Sequence, residues 1–509
     1  MKRSTIVLRR ILSSDHVRLL VLLILLSLVG AVFMAWLTPY GVGIYVDSLS
    51  YITSARNLIS GIGMGRMTGL GVFKPMTHYP PFYSLVLAFL DICGIPSLDA
   101  ARWVSIAAFA GTIFLVGLII YQRTRSKSFS ILAALLILGS NVVLRIYSWA
   151  MTEALYMLLL FLTVLLLAAY LTTHTRRWLI LTAITASLAV LTRYVGFSLL
   201  GAIGLVLFLN RYNSWKRRFG DLGIFIAISI LPTLVWVIRN WLASETLTNR
   251  IVTWHPISTE NLQFLMKSLL SWGLLPQRLT LGRENLAFGV LAGGLAIAGM
   301  IWLWRSWPAS GKSPQPEFAL LWSCWLYVGM LSVSLFWIDA TTRLEKRILR
   351  PLYLQSLVLI MMGAALLWQR KQWIPRLAAA AMCLWLAYFT ITRLDGAIID
   401  LRADGQGYAS QKWQTSQTAA YLREHETSPI YTNDLTAVYF LAGKLSVAIP
   451  NAWSSEADIN LMRSNLASSH GTLAIFGRLT GEFAPLEQIT QGLTQVAQSP
   501  DGTVYVLTP

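Results

Sequence analysis

Charge is scarce in this chain. Only 13% of its 509 residues are Asp, Glu, Lys or Arg, where soluble domains average about 25%. Acids are scarcer than bases, 23 against 41, which leaves a net charge of +18. Cysteine is nearly absent: Cys93, Cys324 and Cys383 are the three, and the last two lie inside apolar runs. With no CxxC and no Cys/His cluster, neither a disulfide framework nor a zinc site is suggested. DxD, HExxH and GxSxG do not occur. Metal-dependent nucleotide-sugar chemistry and motif-borne hydrolysis lose support accordingly. The glycines of "GIGMGRMTG" follow no apolar strand, so they read as a flexible turn rather than a dinucleotide fingerprint. The basic excess forms no patch on a soluble module, which argues against a nucleic-acid partner.

Apolar sequence fills the space that charge leaves. Hydrophobic residues make up 55% of the chain, with 20 Trp, and many runs approach 20 residues, the length that crosses a bilayer as a helix. The expected class is a polytopic α-helical membrane protein. The basic start "MKRSTIVLRRILSSDHVR" is expected on the cytoplasmic side, and the first span, about 19–38, is expected to remain as an uncleaved anchor. Further spans are expected near 100–121, 128–146, 153–171, 178–193, 195–210, 220–239, 286–304, 317–337, 348–368 and 374–391. The alternate turns "QRTRSK", "THTRRW", "NRYNSWKRR", "RSWPASGKSPQPE" and "QRKQWIPR" carry 3, 2, 4, 2 and 3 Lys/Arg. All fall on the side of the N-terminus, so about eleven spans run from inside to outside.

That count leaves three pieces outside. Residues 39–98 form a first external loop, in which the short, Pro-led "PPFYSLVLAFLDICGI" reads as a helix at the interface. Another loop covers about 240–285. Residues 392–509, of ordinary polarity, read as a small α/β domain: "SQTAAYLREH" as helix, "SPIYTND", "TLAIFG" and "TVYVLTP" as strands, "AVYFLAGK" as either. Residues 1–391 are then the membrane domain. No repeat of 20–50 residues is apparent.

Several polar residues stand where an apolar chain has little use for them. Asp47 follows the first span by a few residues. Leu49, Ile52 and Ile59 fall on one stripe of a helix there, and Asp47, Tyr51 and Ser54 on another. The helix would lay its apolar side in lipid and turn Asp47 to a cavity, where an acid has a functional role; the plainer alternative is an N-cap. In "KPMTHYPPFY", Lys74 and His78 are candidates to meet phosphate or sugar hydroxyls, or to anchor a loop at the interface. Glu153, in "SWAMTEALYM", either complements a helix dipole or lines the same cavity. Arg193 and Tyr194 of "LTRYVGF" either snorkel or join them. "DATTRLEKRILRPLY" places Arg343, Lys346, Arg347 and Arg350 before an outside helix end, against the positive-inside trend. The guanidinium fork suits phosphate.

Taken together, these motifs resemble those of the family 39-like glycosyltransferases of the GT-C superfamily, relatives of protein O-mannosyltransferases and of the lipid A aminoarabinose transferase. The resemblance rests on "DSLSYITSARNLISGIG", "HYPPFYSLVLAFLDICGIPSLDAARW", "TEALYMLLLFL", "LTRYVGF" and "RILRPLY", and on the tail segments "YASQKWQTSQTAAYLRE" and "IYTNDLTAVYFLAGK". It covers nearly the whole chain. It implies transfer of a sugar from a polyprenyl-phosphate carrier to an acceptor on the non-cytoplasmic side. Asp47 would be the general base of an inverting attack. Arg347 and Arg350, with Lys74 and Arg193, would stabilise the leaving phosphate. Close relatives often carry a second acid directly after the first, whereas Ser48 stands here, so no two-carboxylate metal site and no cofactor is expected. A transporter or flippase of lipid-linked sugars is the rival reading; it would account for the spans but not for the outside loop and tail.

Overall fold

In lipid a spanning segment must satisfy its own backbone, so each apolar run is expected to be helical. The computed structural model describes residues 14–246, 252–269, 271–272, 284–309, 311–338, 344 and 346–507. It places a helix on every predicted span: α1 (Ser14–Leu37), α4 (Ser97–Thr124), α5 (Lys127–Gly139) with α6 (Asn141–Tyr147), α7 (Thr152–Thr173), α8 (Arg176–Thr192), α9 (Phe197–Phe208), α10 (Trp215–Ser244), α12 (Glu284–Arg305), α13 (Pro316–Val333), α14 (Lys346–Trp368) and α15 (Trp373–Ile398). Among the described residues, seven helices are long and apolar enough to cross a membrane, and α5 with α6 would make an eighth. That pair is bent by 67°. The break falls at Ser140, whose extended backbone stops α5 and whose hydroxyl is 3.1 Å from that of Tyr353.

The segment between α1 and α4 begins with α2 (Val46–Ile59), continues through a hairpin of β1 (Gly65–Met67) and β2 (Phe73–Pro75), and ends in α3 (Phe82–Ile92). The hairpin was not anticipated. Helix α3 buries Tyr83 and Leu87 completely and leaves Phe89 and Ile92 outward, as a half-buried interfacial helix should. Helix α2 departs from expectation. Leu49, Tyr51, Ile52, Ser54 and Ala55 are all buried, so Leu49 and Ile52 of its apolar stripe meet protein rather than lipid, while Ile59 stays 40% exposed. A further helix, α11 (Thr259–Leu269), lies between α10 and α12.

Beyond α15, helix α16 (Gln417–Glu424) and strands β3 (Ile430–Thr432), β4 (Val447–Ala448), β5 (Thr472–Phe476), β6 (Thr494–Ser499) and β7 (Gly502–Val506) build the expected α/β unit. The sheet order is β4-β3-β5-β7-β6, with β3 parallel to both β4 and β5 and the β5-β7-β6 edge antiparallel. Of the 437–444 segment, residues 437–442 are helical. Helix α17 (Glu456–Ser468), which opens on a Ser455–Asp458 capping box, and strands β4 and β6 were not anticipated. Leu466, Leu473 and Ile489 form the dry centre of this unit.

Short backbone contacts fix where α2 starts. Gly43 donates to Ser148 O at 2.7 Å and accepts from Ala150 N at 2.8 Å, and Tyr408 N donates to Ile44 O at 3.1 Å. Gly407 lies beneath this strand-like crossing with φ +55°, and a Cβ there would sit 2.0 Å from Ile44 O. Gly407→Ala should therefore lower stability by more than about 1 kcal/mol, read as an earlier thermal unfolding transition in detergent.

Candidate active site

Three chain segments, each ending or starting a helix at one end of the bundle, converge on one cavity of about 1030 Å³. The first supplies Asp47. Tyr45 is the N-cap residue of α2, and its N–H donates to Ser48 Oγ at 3.0 Å. Ser48 in turn donates to Ala150 O at 2.9 Å. Ser48 thus closes the helix start and ties it to the turn before α7. Asp47, one residue into the first turn, is released from capping. Its carboxylate accepts from Tyr79 Oη at 2.9 Å on one oxygen and from Arg347 Nη1 at 2.9 Å on the other.

The second segment is the start of α7. Glu153 is buried, with 3% exposure, at a depth where a carboxylate persists only beside cations. Two are present: Arg193 Nη1 at 2.6 Å and Arg347 Nε at 4.0 Å. Arg193 ends α8, and its Nη1 also donates to Thr152 Oγ1 at 2.9 Å. The third segment is the first turn of α14, where the Arg347 guanidinium also lies over the Tyr45 ring at 5.0 Å. The result is a linear alternation of charge, Arg193–Glu153–Arg347–Asp47, with the acid that is half-open to the cavity at its end. Two cations and two carboxylates balance, so an arriving phosphate would find its positive charge already placed but shared.

Aromatic rings form one wall. Tyr51 meets Tyr79 and Tyr83 edge-on at 5.0 and 5.4 Å, and His78 meets Tyr79 at 4.7 Å. Burial, and then the neighbouring Asp47 charge, hold the Tyr51 phenol well above its ordinary range, so it stays a neutral donor at working pH. Tyr194 lines the same space and accepts from Trp236 Nε1 at 3.2 Å.

Of the residues singled out from sequence, Asp47, Tyr51, His78, Arg193, Tyr194 and Arg347 line the cavity, and Glu153 lies directly behind it in contact with two of them. Two do not join them. Lys74 is exposed on β2, opposite Arg66 of the hairpin. Arg350 lies three residues further along α14 and donates instead to Arg145 O at 2.9 Å. Arg343 lies outside the described residues. Sequence reading passed over Tyr79, although it sits inside the quoted "KPMTHYPPFY", and over Glu260 of α11 and Glu482 of the C-terminal unit, which also line the cavity. Among the described residues no three His, Cys, Asp or Glu side chains are grouped to hold a metal ion.

Comparison with known proteins places this arrangement in context. Residues 94–254 match the family model for dolichyl-phosphate-mannose-protein mannosyltransferase. No curated protein sequence matches. Among solved structures, ArnT from Cupriavidus metallidurans bound to undecaprenyl phosphate aligns over 96% of this chain and 98% of its own, with TM-score 0.55 and 12% identity. The oligosaccharyltransferase of Archaeoglobus fulgidus tethered to an acceptor peptide aligns over 98% of this chain and 74% of its own, with TM-score 0.54 and 13% identity. The archaeal oligosaccharyltransferase AglB from Archaeoglobus fulgidus, in complex with an inhibitory peptide and a dolichol-phosphate, aligns over 91% and 69%, with TM-score 0.54 and 12% identity. At such identities the likeness is one of fold.

Proposed function

We propose that this chain, which has the fold of the GT-C membrane glycosyltransferases, transfers a sugar from a polyprenyl-phosphate donor to an acceptor hydroxyl on the extracytoplasmic side of the cell membrane. The observation that carries the reading is the meeting of Asp47 and Arg347, 300 residues apart, in a cavity lined by further polar side chains. Asp47 takes the proton of the acceptor hydroxyl. The oxygen attacks the anomeric carbon from the face opposite the phosphate. The bond from that carbon to the phosphate oxygen breaks with its electron pair, configuration inverts, and polyprenyl phosphate leaves. Charge on the phosphate grows during this step, which is where fixed cations act most strongly. Arg347, with Arg193 behind it, supplies that charge, and the step as proposed uses no resident metal or other cofactor. The Tyr79 hydroxyl and Arg347 hold the Asp47 carboxylate in place before the acceptor arrives.

The reading is tested with purified protein in detergent, given a polyprenyl-phosphate sugar and an acceptor, by measuring released polyprenyl phosphate. A flippase would move the donor and release none. Arg347→Ala should lower kcat/KM for the donor by about 10²–10³-fold, as the loss of one charge-stabilising donor does elsewhere. A donor dependence identical to the wild type would remove Arg347 from the site.

A further inference from the structure

We propose that the outer ends of α6, α14 and α15 form a second anion site, apart from the Asp47 cavity, that binds the phosphate group of a membrane lipid. The first turn of α14 divides its cations between two places. Arg347 faces Asp47 and Glu153. Lys346 and Arg350, four residues apart, share another face. There Arg350 Nη1 donates to Arg145 O at 2.9 Å. Arg145 of α6 donates through Nε to Asn141 Oδ1 at 2.8 Å and pairs with Asp400. Arg393 of α15 donates through Nη1 to Ser271 O at 2.6 Å. Lys346 lies within electrostatic reach of Arg145, Arg350 and Arg393 alike.

The balance of charge sets this cluster apart from the Asp47 cavity. Arg145, Lys346, Arg350 and Arg393 are four cations, and Asp400, half exposed, is the one carboxylate paired with them among the described residues. Carbonyl partners orient Arg350 and Arg393 but do not neutralise them. Arg393 Nη2 is buried and has no hydrogen-bond partner. The adjoining residues 339–343 and 345 lie outside the described residues; by sequence they add Asp339, Glu345 and one base, Arg343, which leaves a positive excess. Grouped, pre-oriented guanidiniums with spare donors match a phosphate. A lipid is the fitting source because α15 is the least enclosed of the seven candidate spans among the described residues, with 11% of its spanning window buried. Leu384, Tyr388 and Ile391 stand 60–71% exposed along it, so an acyl or prenyl chain has an apolar flank to lie against just below the cluster.

The proposal does not rest on the catalytic reading, and its test counts bound lipid rather than product. Full-length protein is released from detergent into native mass spectrometry with undecaprenyl phosphate, with phosphatidylglycerol, or with phosphatidylcholine as the weakly held control. The wild type is expected to keep one more phosphate lipid than the Arg145→Gln/Arg393→Gln variant, which should bind that lipid at least tenfold more weakly. Loss with undecaprenyl phosphate alone assigns the site to a phosphate monoester carrier. Loss with both lipids assigns it to anionic headgroups in general. Should the double variant fail to fold, Lys346→Gln, which changes an exposed residue, is expected to weaken the same adduct two- to fivefold. Adduct distributions indistinguishable from wild type in the variants that fold overturn the proposal.

Discussion

Asp47→Asn is expected to lower sugar transfer by about 10²–10⁴-fold, the usual worth of a positioned general base, with the fold retained. The asparagine keeps the volume of the aspartate and keeps an oxygen for the Tyr79 hydroxyl. It loses the charge that Arg347 contacts at 2.9 Å, but Arg347 retains Glu153 at 4.0 Å and the Tyr45 ring, so no buried cation is left alone. The helix start is secured by Ser48 and not by residue 47, so the helix itself should hardly notice. The split between these two outcomes is the diagnostic. A capping aspartate changed to asparagine, itself a good cap, would lose little stability and little activity. Here the unfolding transition should barely move while release of polyprenyl phosphate falls to near background. Transfer at wild-type rates in a folded Asp47→Asn variant would remove the base from the scheme. KM for the donor should change little, because the lost interaction matters most as the proton moves.

The parts of this picture that sequence reveals are those governed by local physics. Lipid demands helices about 20 residues long, so hydropathy finds them without knowledge of their neighbours. Even the bent α5–α6 pair was found, as one span, because a break at Ser140 changes direction and not polarity. The flank of α2 was misjudged for the complementary reason. Leu49 and Ile52 read the same whether they meet lipid tails or the core, and the protein encloses them. The site follows the same division. Asp47, Glu153, Arg193 and Arg347 stand out because a charge at a span end is costly unless paired. That they pair with one another across 300 residues is tertiary information. Lys74 and Arg350 show the limit in reverse: a basic residue in the right segment has the right chemistry, but Lys74 is exposed on a strand and Arg350 is taken up by the Arg145 carbonyl. Glu260 and Glu482 come from a loop and a separate unit whose placement leaves no trace in composition.

Glu153 should prove the residue on which the cavity most depends, although it is not placed to touch the reacting atoms. Glu153→Ala leaves Arg193 and Arg347 facing each other with no acid between them, and breaking a buried ion pair from one side costs about 3–5 kcal/mol. A clearly earlier unfolding transition is therefore expected. Glu153→Gln separates charge from volume. It keeps the shape and removes the negative charge beside Arg193 at 2.6 Å. Two consequences follow for the donor. The uncompensated guanidiniums attract its phosphate more strongly in the ground state, so KM should fall or hold. Arg347, with Glu153 no longer sharing its charge, holds the Asp47 carboxylate more tightly through its 2.9 Å contact and away from the acceptor hydroxyl, so kcat should fall by tenfold or more. Pairing the change with Arg193→Gln restores the charge balance, and the double variant should be more stable than Glu153→Gln alone. That gain over simple addition is the coupling expected of residues in direct contact. Strict additivity of the two changes, together with an unaltered kcat in Glu153→Gln, would mean that the charges are held apart by something other than one another.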